Sequence, residues 1–383
     1  MRGPADLLRW RHEFPAVQNR VFLGAHTLAP LSRRARAAID RFLDVWETKA
    51  SAERVWFEDV IPEMRRLESL YARVIGADDD EVALTPSIST GLSSLASCID
   101  FSARDEIVIS RQEFPTDCHV WLAQERRGGR VVWIDGKDEQ AYASALTPQT
   151  AVVSASRVSY LDGAMLDPVA LGDACGAAGA FYVIDDYHGS GVVPLDVHAT
   201  GAHALVGGPL KYLLGGPGVA FVYVRRDVAP TLRPTVTGWF SQRDFFAFDS
   251  SAVDWPDNAQ RLALGTPSPQ SIFAAAAGLD IILEVGIDRI RARTLELTGY
   301  LIDRATDAGF VVRTPRDPAR RGAVVTFEVP DSKKVLEELL DRGVIVDERH
   351  GALRVCPYFY SSEDDVDALF TALDRISVEP TGP

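Results

Sequence analysis

The sequence predicts an α/β protein: a large domain with a mainly parallel central sheet flanked by helices, then a smaller α+β C-terminal domain. Three observations lead there. Short apolar runs of strand length alternate with helical patterns from about residue 81 to residue 225, and buried strands that alternate with helices read as a parallel sheet covered on both faces. After about Arg233 the pattern changes to an aromatic, irregular stretch, then to a long helix and a mixed remainder. The 383 residues, 46% hydrophobic and 25% charged, are enough for a large domain with an appendage and a real core.

The elements follow in order. "LSRRARAAIDRFLDVWE" reads as a helix with Ser32 as N-cap, and "WFEDVIPEMRRLESLYARVIGA" as a second, closed by Gly76. "EVALT" is a short strand, and "STGLSSLASCI" opens a helix. "EIVISR", "RVVWID" and "AVVSASRVS" are strands, the last followed by a helix from Pro168 to Gly179. "FYVIDD" and "VAFVYVR" complete the set. A single long helix is expected from Ser268 to Gly299, then strands "AVVTFEVP", "VIVDER" and "ALRVCP" with two helices. The expected division is an N-terminal segment, residues 1–25, a large domain, 26–245, and a small α+β domain, 246–383.

Composition excludes several classes. The formal net charge of −14 argues against nucleic acid or an anionic membrane as the main partner. Four cysteines, at 98, 118, 175 and 356, are widely spaced without a CxxC pair, so neither a zinc site nor a disulfide framework is expected. No signal-peptide core opens the chain and no apolar run is long enough for a bilayer, which together read as a cytoplasmic protein.

In open α/β sheets, ligands sit beyond the C-terminal ends of the strands. After "EVALT" come Ser87, Ser89 and Thr90 at a helix start, a set suited to a phosphate. The plain alternative is that Ser89 or Thr90 only caps the helix. After "EIVISR" lies "QEFPTD", where Phe114 offers a flat face to a bound ring or simply packs in the core. Ser156 follows the next strand. Asp185 ends "FYVID", with His188 three residues on. An acid ending a buried strand must find a partner or shift its pKa. A metal site from Asp185, Asp186 and His188 is the alternative, but no further His/Asp cluster lies nearby to complete it, and no metal is expected. Lys211 stands alone among apolar residues before Gly215-Gly216-Pro217-Gly218, which reads as a turn. Buried lysines are rare, and a desolvated one becomes a nucleophile toward carbonyls. A phosphate cradle, an aromatic face, an acid and a later lysine, in that order on one sheet, fit pyridoxal phosphate.

These motifs resemble the fold-type-I pyridoxal-phosphate enzymes of the class V aminotransferase family, with the closest local matches kynureninase-like. "FPTD" resembles a cofactor-stacking motif, which implies contacts from Phe114, Thr116 and Asp117. "DDYHGSGVVPLDVH" resembles a D-x-x-H element, giving Asp185 as partner of the ring nitrogen and His188 near the ring hydroxyl. "LKYLLGGPG" resembles the segment that carries the Schiff-base lysine, here Lys211. "GWF" implies that Trp239 lies near the phosphate, and "RLALGTPS" that Thr266 reaches the phosphate in the neighbouring subunit of a homodimer with shared active sites. "ALRVCPYFY" resembles an R-x-x-P segment, giving Arg354 as the clamp on a substrate carboxylate. Leu210 stands where kynureninases carry a tyrosine. Side-chain recognition is expected from "FLGAHTLAP", with His26 the polar candidate.

The resemblance implies an enzyme that exchanges Lys211 for the amine of an α-amino acid, with Lys211, Asp185 and His188 as the catalytic set. A kynureninase-like or β-eliminating lyase is the first expectation. A class V aminotransferase or epimerase is the second, and a non-catalytic cofactor-binding homologue the third.

Overall fold

The computed structural model describes residues 6–376 and 378. Residues 1–5 of the expected N-terminal segment, and residues 377 and 379–383 of the expected small domain, lie outside the described residues. The central sheet has seven strands: β1 (Val82–Thr85), β2 (Glu106–Ser110), β3 (Arg130–Ile134), β4 (Thr150–Ser156), β5 (Phe181–Asp185), β6 (Ala204–Gly207) and β7 (Ala220–Val224). Their order is β1–β7–β6–β5–β4–β2–β3. β7 runs antiparallel to both of its neighbours, and every other pairing is parallel. β6 was not expected. Its four residues, Ala-Leu-Val-Gly, are too few to stand out from a loop, and they become a strand by pairing on both sides.

Helices cover both faces. On one lie α1 (Arg33–Lys49), α2 (Ile61–Ile75) and α7 (Pro269–Val285), on the other α3 (Ile88–Ser97) and α4 (Pro115–Leu122). α5 (Glu139–Ser144) and α6 (Pro168–Ala178) connect strands between them. The strands divide their residues with period two. Val108, Tyr182, Ile184 and Phe221 join the core with α1, α2 and α7, whereas Ile107, Ile109, Val183 and Val222 join the core with α3 and α4. All eight are fully buried, and each such side chain contributes about 1.5–3 kcal/mol on leaving water.

The long helix expected from Ser268 to Gly299 is two helices, α7 and α8 (Ile287–Asp307), bent by 79° at Gly286. Gly286 has φ +91°, a conformation that lets only glycine turn the chain here without strain. Among the described residues no single helix is long and apolar enough to cross a membrane; only this bent pair passes jointly, and α7 is buried against α1 and α2.

A third core begins at Leu301 of α8, apart from Leu23. It gathers β8 (Val325–Glu328), α9 (Ser332–Asp341), β10 (Ala352–Val355) and α10 (Glu363–Ile376), with β9 (Asp347–Arg349) paired to β10. β9 and β10 form a tight hairpin through His350 and Gly351, both left-handed, the turn that two-residue hairpins favour. Its register sets Asp347 opposite Arg354. The N-terminal segment is tied to this unit: Val21 and Phe22 pair with Val344 and Ile345, and Gly24 bridges to Cys356. That pairing carries His26 and Thr27 to the same cavity wall as Arg354.

Candidate active site

The C-terminal ends of β1, β2, β4 and β5, the turn after β6 and the β9–β10 hairpin converge on a cavity of about 330 Å³. Its wall includes Lys211, Asp185, His188, Ser156, Phe114 and Arg354. Ser89, Thr116 and His26 are on it as well.

Lys211 follows β6, on a partly buried turn. Its Nζ and His188 Nε2 are 2.6 Å apart and share a hydrogen bond. Burial lowers the amine from its ordinary 10.5 to about 7; the Asp185 charge works against that and Arg354 with it. His188 is buried and held well below its ordinary value, first by burial and then by Lys211. Its ring is therefore neutral, and Nδ1 has no partner. A neutral imidazole beside an amine that titrates near neutrality is a pair able to hold or pass a proton.

Beneath Lys211 lies a group of buried acids. Asp185 Oδ1 accepts the Tyr187 backbone N–H at 2.8 Å. Burial pushes Asp185 up to about 6, and Glu113 adds to that. Asp117 is buried with no hydrogen-bond partner on either oxygen, and burial followed by the Asp185 and Glu113 charges holds it well above the carboxylate range. Glu113 is itself satisfied, accepting from Tyr142 Oη at 2.7 Å and Ser156 N at 3.0 Å, and from the Ser156 hydroxyl. Asp186 faces the other way. It is fully buried and accepts both prongs of Arg157, at 2.6 and 3.0 Å, and the Ser190 hydroxyl at 2.7 Å. Asp186 is thus taken up by Arg157 and Ser190 and is not on the wall that Asp185 and His188 share.

At the α3 N-terminus the cap is Ser87, whose Oγ accepts Thr90 N at 3.2 Å. Thr90, expected as a phosphate ligand, completes this capping box: its hydroxyl accepts Ser87 N at 3.0 Å and donates to Ser87 O at 2.9 Å, and it is not on the cavity wall. Ser87 and Ser89 are, with the Ser89 and Thr116 hydroxyls 3.2 Å apart. Phe114 stands edge-on to Tyr160, with ring centroids 5.2 Å apart.

At the opposite end Arg354 is buried. Nη1 donates to Tyr160 O at 2.5 Å, Nη2 pairs with Asp347, and Nε has no partner. Arg349 shares Asp347 at 2.7 Å. His26 is buried with both ring nitrogens unpartnered, Nε2 lying 3.8 Å from Asp347. Burial, then Arg354 and Lys211, keep it neutral.

Trp239 and Thr266 are not on this wall. Trp239 sits in an aromatic cluster, stacked on Phe248 at 5.8 Å, and Thr266 is exposed. Cys356 is buried just past β10, and burial pushes its thiol up to about 12, an unreactive state. The sequence reading missed Tyr187, Tyr160, Glu113, Asp347 and Arg349. For Tyr187 a signal existed, since it lies inside the D-x-x-H element. Asp347 and Arg349 become wall and clamp neighbours only through the hairpin register.

The family model for class V aminotransferases matches residues 29–369. A kynureninase of Burkholderia mallei (strain SAVP1) is 31% identical over 96% of this chain and 92% of its own. A protein of Bacillus subtilis (strain 168) named an uncharacterized aminotransferase, YcbU, is 28% identical over 97% of each chain. The structure of a cysteine desulfurase from Thermococcus onnurineus NA1 superposes with a TM-score of 0.87 at 20% identity, covering 98% of both chains. The chain therefore belongs to the class V aminotransferase family, enzymes of fold type I that depend on pyridoxal phosphate.

Proposed function

We propose that this chain is a pyridoxal 5'-phosphate-dependent lyase of α-amino acids, kynureninase-like or β-eliminating. One observation carries the reading: a lysine whose amine is lowered to about 7 shares one cavity with a raised buried acid, a neutral histidine and an arginine with a free N–H. The residues fit the cofactor. Asp185 and the partnerless Asp117 suit a protonated ring nitrogen, and Ser87, Ser89 and Thr116 beside the α3 N-terminus suit a phosphate. When bound, the cofactor supplies an electron sink for bonds made and broken at the substrate Cα.

The chain's own groups do the rest. Lys211 is the residue that would hold the cofactor, and its amine would take or return a proton at the substrate Cα. Asp185 would keep a cofactor ring nitrogen protonated. His188 orients Lys211 and would serve the ring hydroxyl. Phe114 would cover the ring, and Ser156, held by Glu113, would serve its edge. Arg354 receives the substrate carboxylate at Nε, in competition with Asp347. His26 meets the substrate's distal part. Thr266, off this chain's wall, would serve the cavity of a second copy in a homodimer, and Trp239 would lie near the phosphate.

The kynureninase relatives support a lyase, and the relative named an aminotransferase supports a class V aminotransferase as the second reading. The test is a panel of amino acids given to the yellow holoenzyme, with and without pyruvate. Turnover without pyruvate supports the lyase. Turnover only with pyruvate, yielding alanine, overturns it in favour of the aminotransferase.

A further inference from the structure

We propose that Tyr187 is a positioning residue for Lys211: the face of its ring holds the charged amine in place inside the cavity. The proposal rests on the reading of Lys211 as the reacting amine and adds to it a residue that the sequence motifs do not assign.

Tyr187 is two residues past Asp185, and its backbone N–H donates to Asp185 Oδ1. The loop conformation that aims the acid thus also aims the tyrosine. Its side chain is on the cavity wall, and Lys211 Nζ lies 4.6 Å from its ring centroid. That is inside the range of about 6 Å over which a ring face attracts a cation. Phe114, from a different element, presents a second ring at 5.7 Å. His188 Nε2, at 2.6 Å, completes the cradle.

The chain also makes room for this ring. A Cβ on Gly208 would meet Tyr187 Cε2 at 2.4 Å, Cζ at 3.0 Å and Oη at 3.1 Å. Gly208 is not in the left-handed region, so its backbone does not require glycine; the tyrosine ring does. A glycine three residues before Lys211 and a tyrosine two residues after Asp185 thereby form one unit.

The ring matters because the charges around the amine pull in both directions. Asp185 and Asp347 favour its ammonium form, while burial, Arg354 and Arg349 oppose it, and His188 is neutral. Burial also raises the Tyr187 phenol, so it keeps its proton and acts through its ring face. A lysine that has let go of its carbon partner carries its proton as a flexible ammonium. The ring face keeps that charge within reach of the cavity and out of solvent.

The chain has only five lysines, at 49, 137, 211, 333 and 334. In full-length protein freed of cofactor and labelled with ¹³C at lysine Cε, NMR titration resolves them, and Lys211→Arg assigns the signal. Tyr187→Phe, which keeps the ring face, is expected to leave the Lys211 titration within about 0.3 unit of wild type. Tyr187→Leu is expected to lower it by about one unit, a tenfold loss of ammonium at a given pH. Gly208→Ala, which displaces the ring, should move it the same way. A Tyr187→Leu protein that is folded by circular dichroism and titrates as wild type overturns the proposal, as does a Phe variant that behaves like Leu. Should Tyr187→Leu not fold, Gly208→Ala decides: a lowered value supports the cradle and an unchanged one overturns it. The titration needs no cofactor, so its failure leaves the Lys211 assignment standing. That assignment stands or falls separately on the visible band of Lys211→Ala holoenzyme.

Discussion

Asp185 and Asp186 are neighbours in sequence, yet removing their charges should change stability in opposite directions. Consider Asp186→Asn first. Asp186 is 0% exposed and its partner Arg157 2% exposed. The substitution leaves Arg157 with the Val193 and Pro194 carbonyls, both at 3.0 Å, but without its counter-charge. Breaking a buried pair from one side costs about 3–5 kcal/mol, and the remaining carbonyls favour the lower figure of about 3. That is a large share of a total of roughly 5–15 kcal/mol. Asp185→Asn is different. Burial raises Asp185 to about 6, so above that pH the cofactor-free chain holds a disfavoured charge. Neutral asparagine, which still accepts from Tyr187 N, should be neutral to stabilising, on the order of 1–2 kcal/mol. The gain should appear as pH rises through about 6 and vanish below the ordinary carboxylate range, where both states are protonated. The assay is urea unfolding of cofactor-free protein at pH 8 and pH 4, followed by tryptophan fluorescence. In holoenzyme the ranking of turnover should invert, with Asp185→Asn nearly inactive and the surviving folded fraction of Asp186→Asn active. Equal urea midpoints for the two variants at pH 8 would refute the reasoning, because it rests on the two carboxylates facing opposite sides of one strand end.

Four further outcomes are expected. Lys211→Ala should remove the visible band of the lysine-bound cofactor and all turnover; an unchanged band sinks the cofactor assignment. Cofactor-free protein should gain stability as pH rises from about 7 toward 10.5, because over that window the unfolded chain binds the Lys211 proton that the folded chain does not; Lys211→Met should flatten the urea midpoints between pH 7 and pH 9. Thr266→Ala and Lys211→Ala subunits, each impaired alone, should recover part of the activity when co-expressed as mixed dimers, and no recovery in verified mixed dimers would place Thr266 in its own subunit's site. Arg354→Lys, which keeps the charge but loses the fork, should cut kcat/KM by roughly ten- to a hundredfold while sparing the visible band; a decarboxylated analogue that reacts as well as the amino acid would make Arg354 a structural partner of Asp347.

What the sequence made legible was local. Each parallel strand announced itself by an apolar run, and the polar residue just past its end was readable because parallel sheets open their ligand crevice there. Hence Asp185, Ser156, Phe114 and Ser89 could be picked individually, and the structure brings them to one wall. What stayed hidden depended on partners far along the chain. β6 is four residues long and takes its strand form from β5 and β7. The helix break at Gly286 looked like a tolerated glycine in a helical pattern. Ser87, not Ser89 or Thr90, is the cap, a shift of two residues that depends on where the strand stops. Tyr187 reads as a filler between Asp185 and His188 until Lys211 and Gly208 are set against its ring. Arg354 was legible as an arginine at a strand end, whereas Asp347, which occupies it, follows only from the hairpin register.

The cavity's charges explain why these residues are useful together. Asp185 lines its lower side, with Asp117 and Glu113 buried nearby; Glu113 disfavours ionisation of Asp185, and Asp185 and Glu113 both disfavour that of Asp117. Only Glu113 is well satisfied by neutral donors, so Asp117 and Asp185 hold protons or need a cation. On the upper side are Lys211, Arg354 and Arg349; the two guanidinium charges lower the Lys211 amine, and Asp347 pairs with both arginines. A cavity with acid on one side and cations on the other favours a ligand that carries both signs of charge. A ligand that brings a positive ring nitrogen to Asp185 relieves the lower side, and one that brings a carboxylate to Arg354 relieves the upper. A protonated cofactor ring beside Asp185, together with an amino-acid carboxylate at Arg354, would bring charges with that polarity. A simple cation or a simple anion relieves one side only. The field that perturbs Lys211 and Asp185 is therefore the same field that selects what binds between them, which is the physical reason to expect catalysis and recognition to be lost together when either side is neutralised.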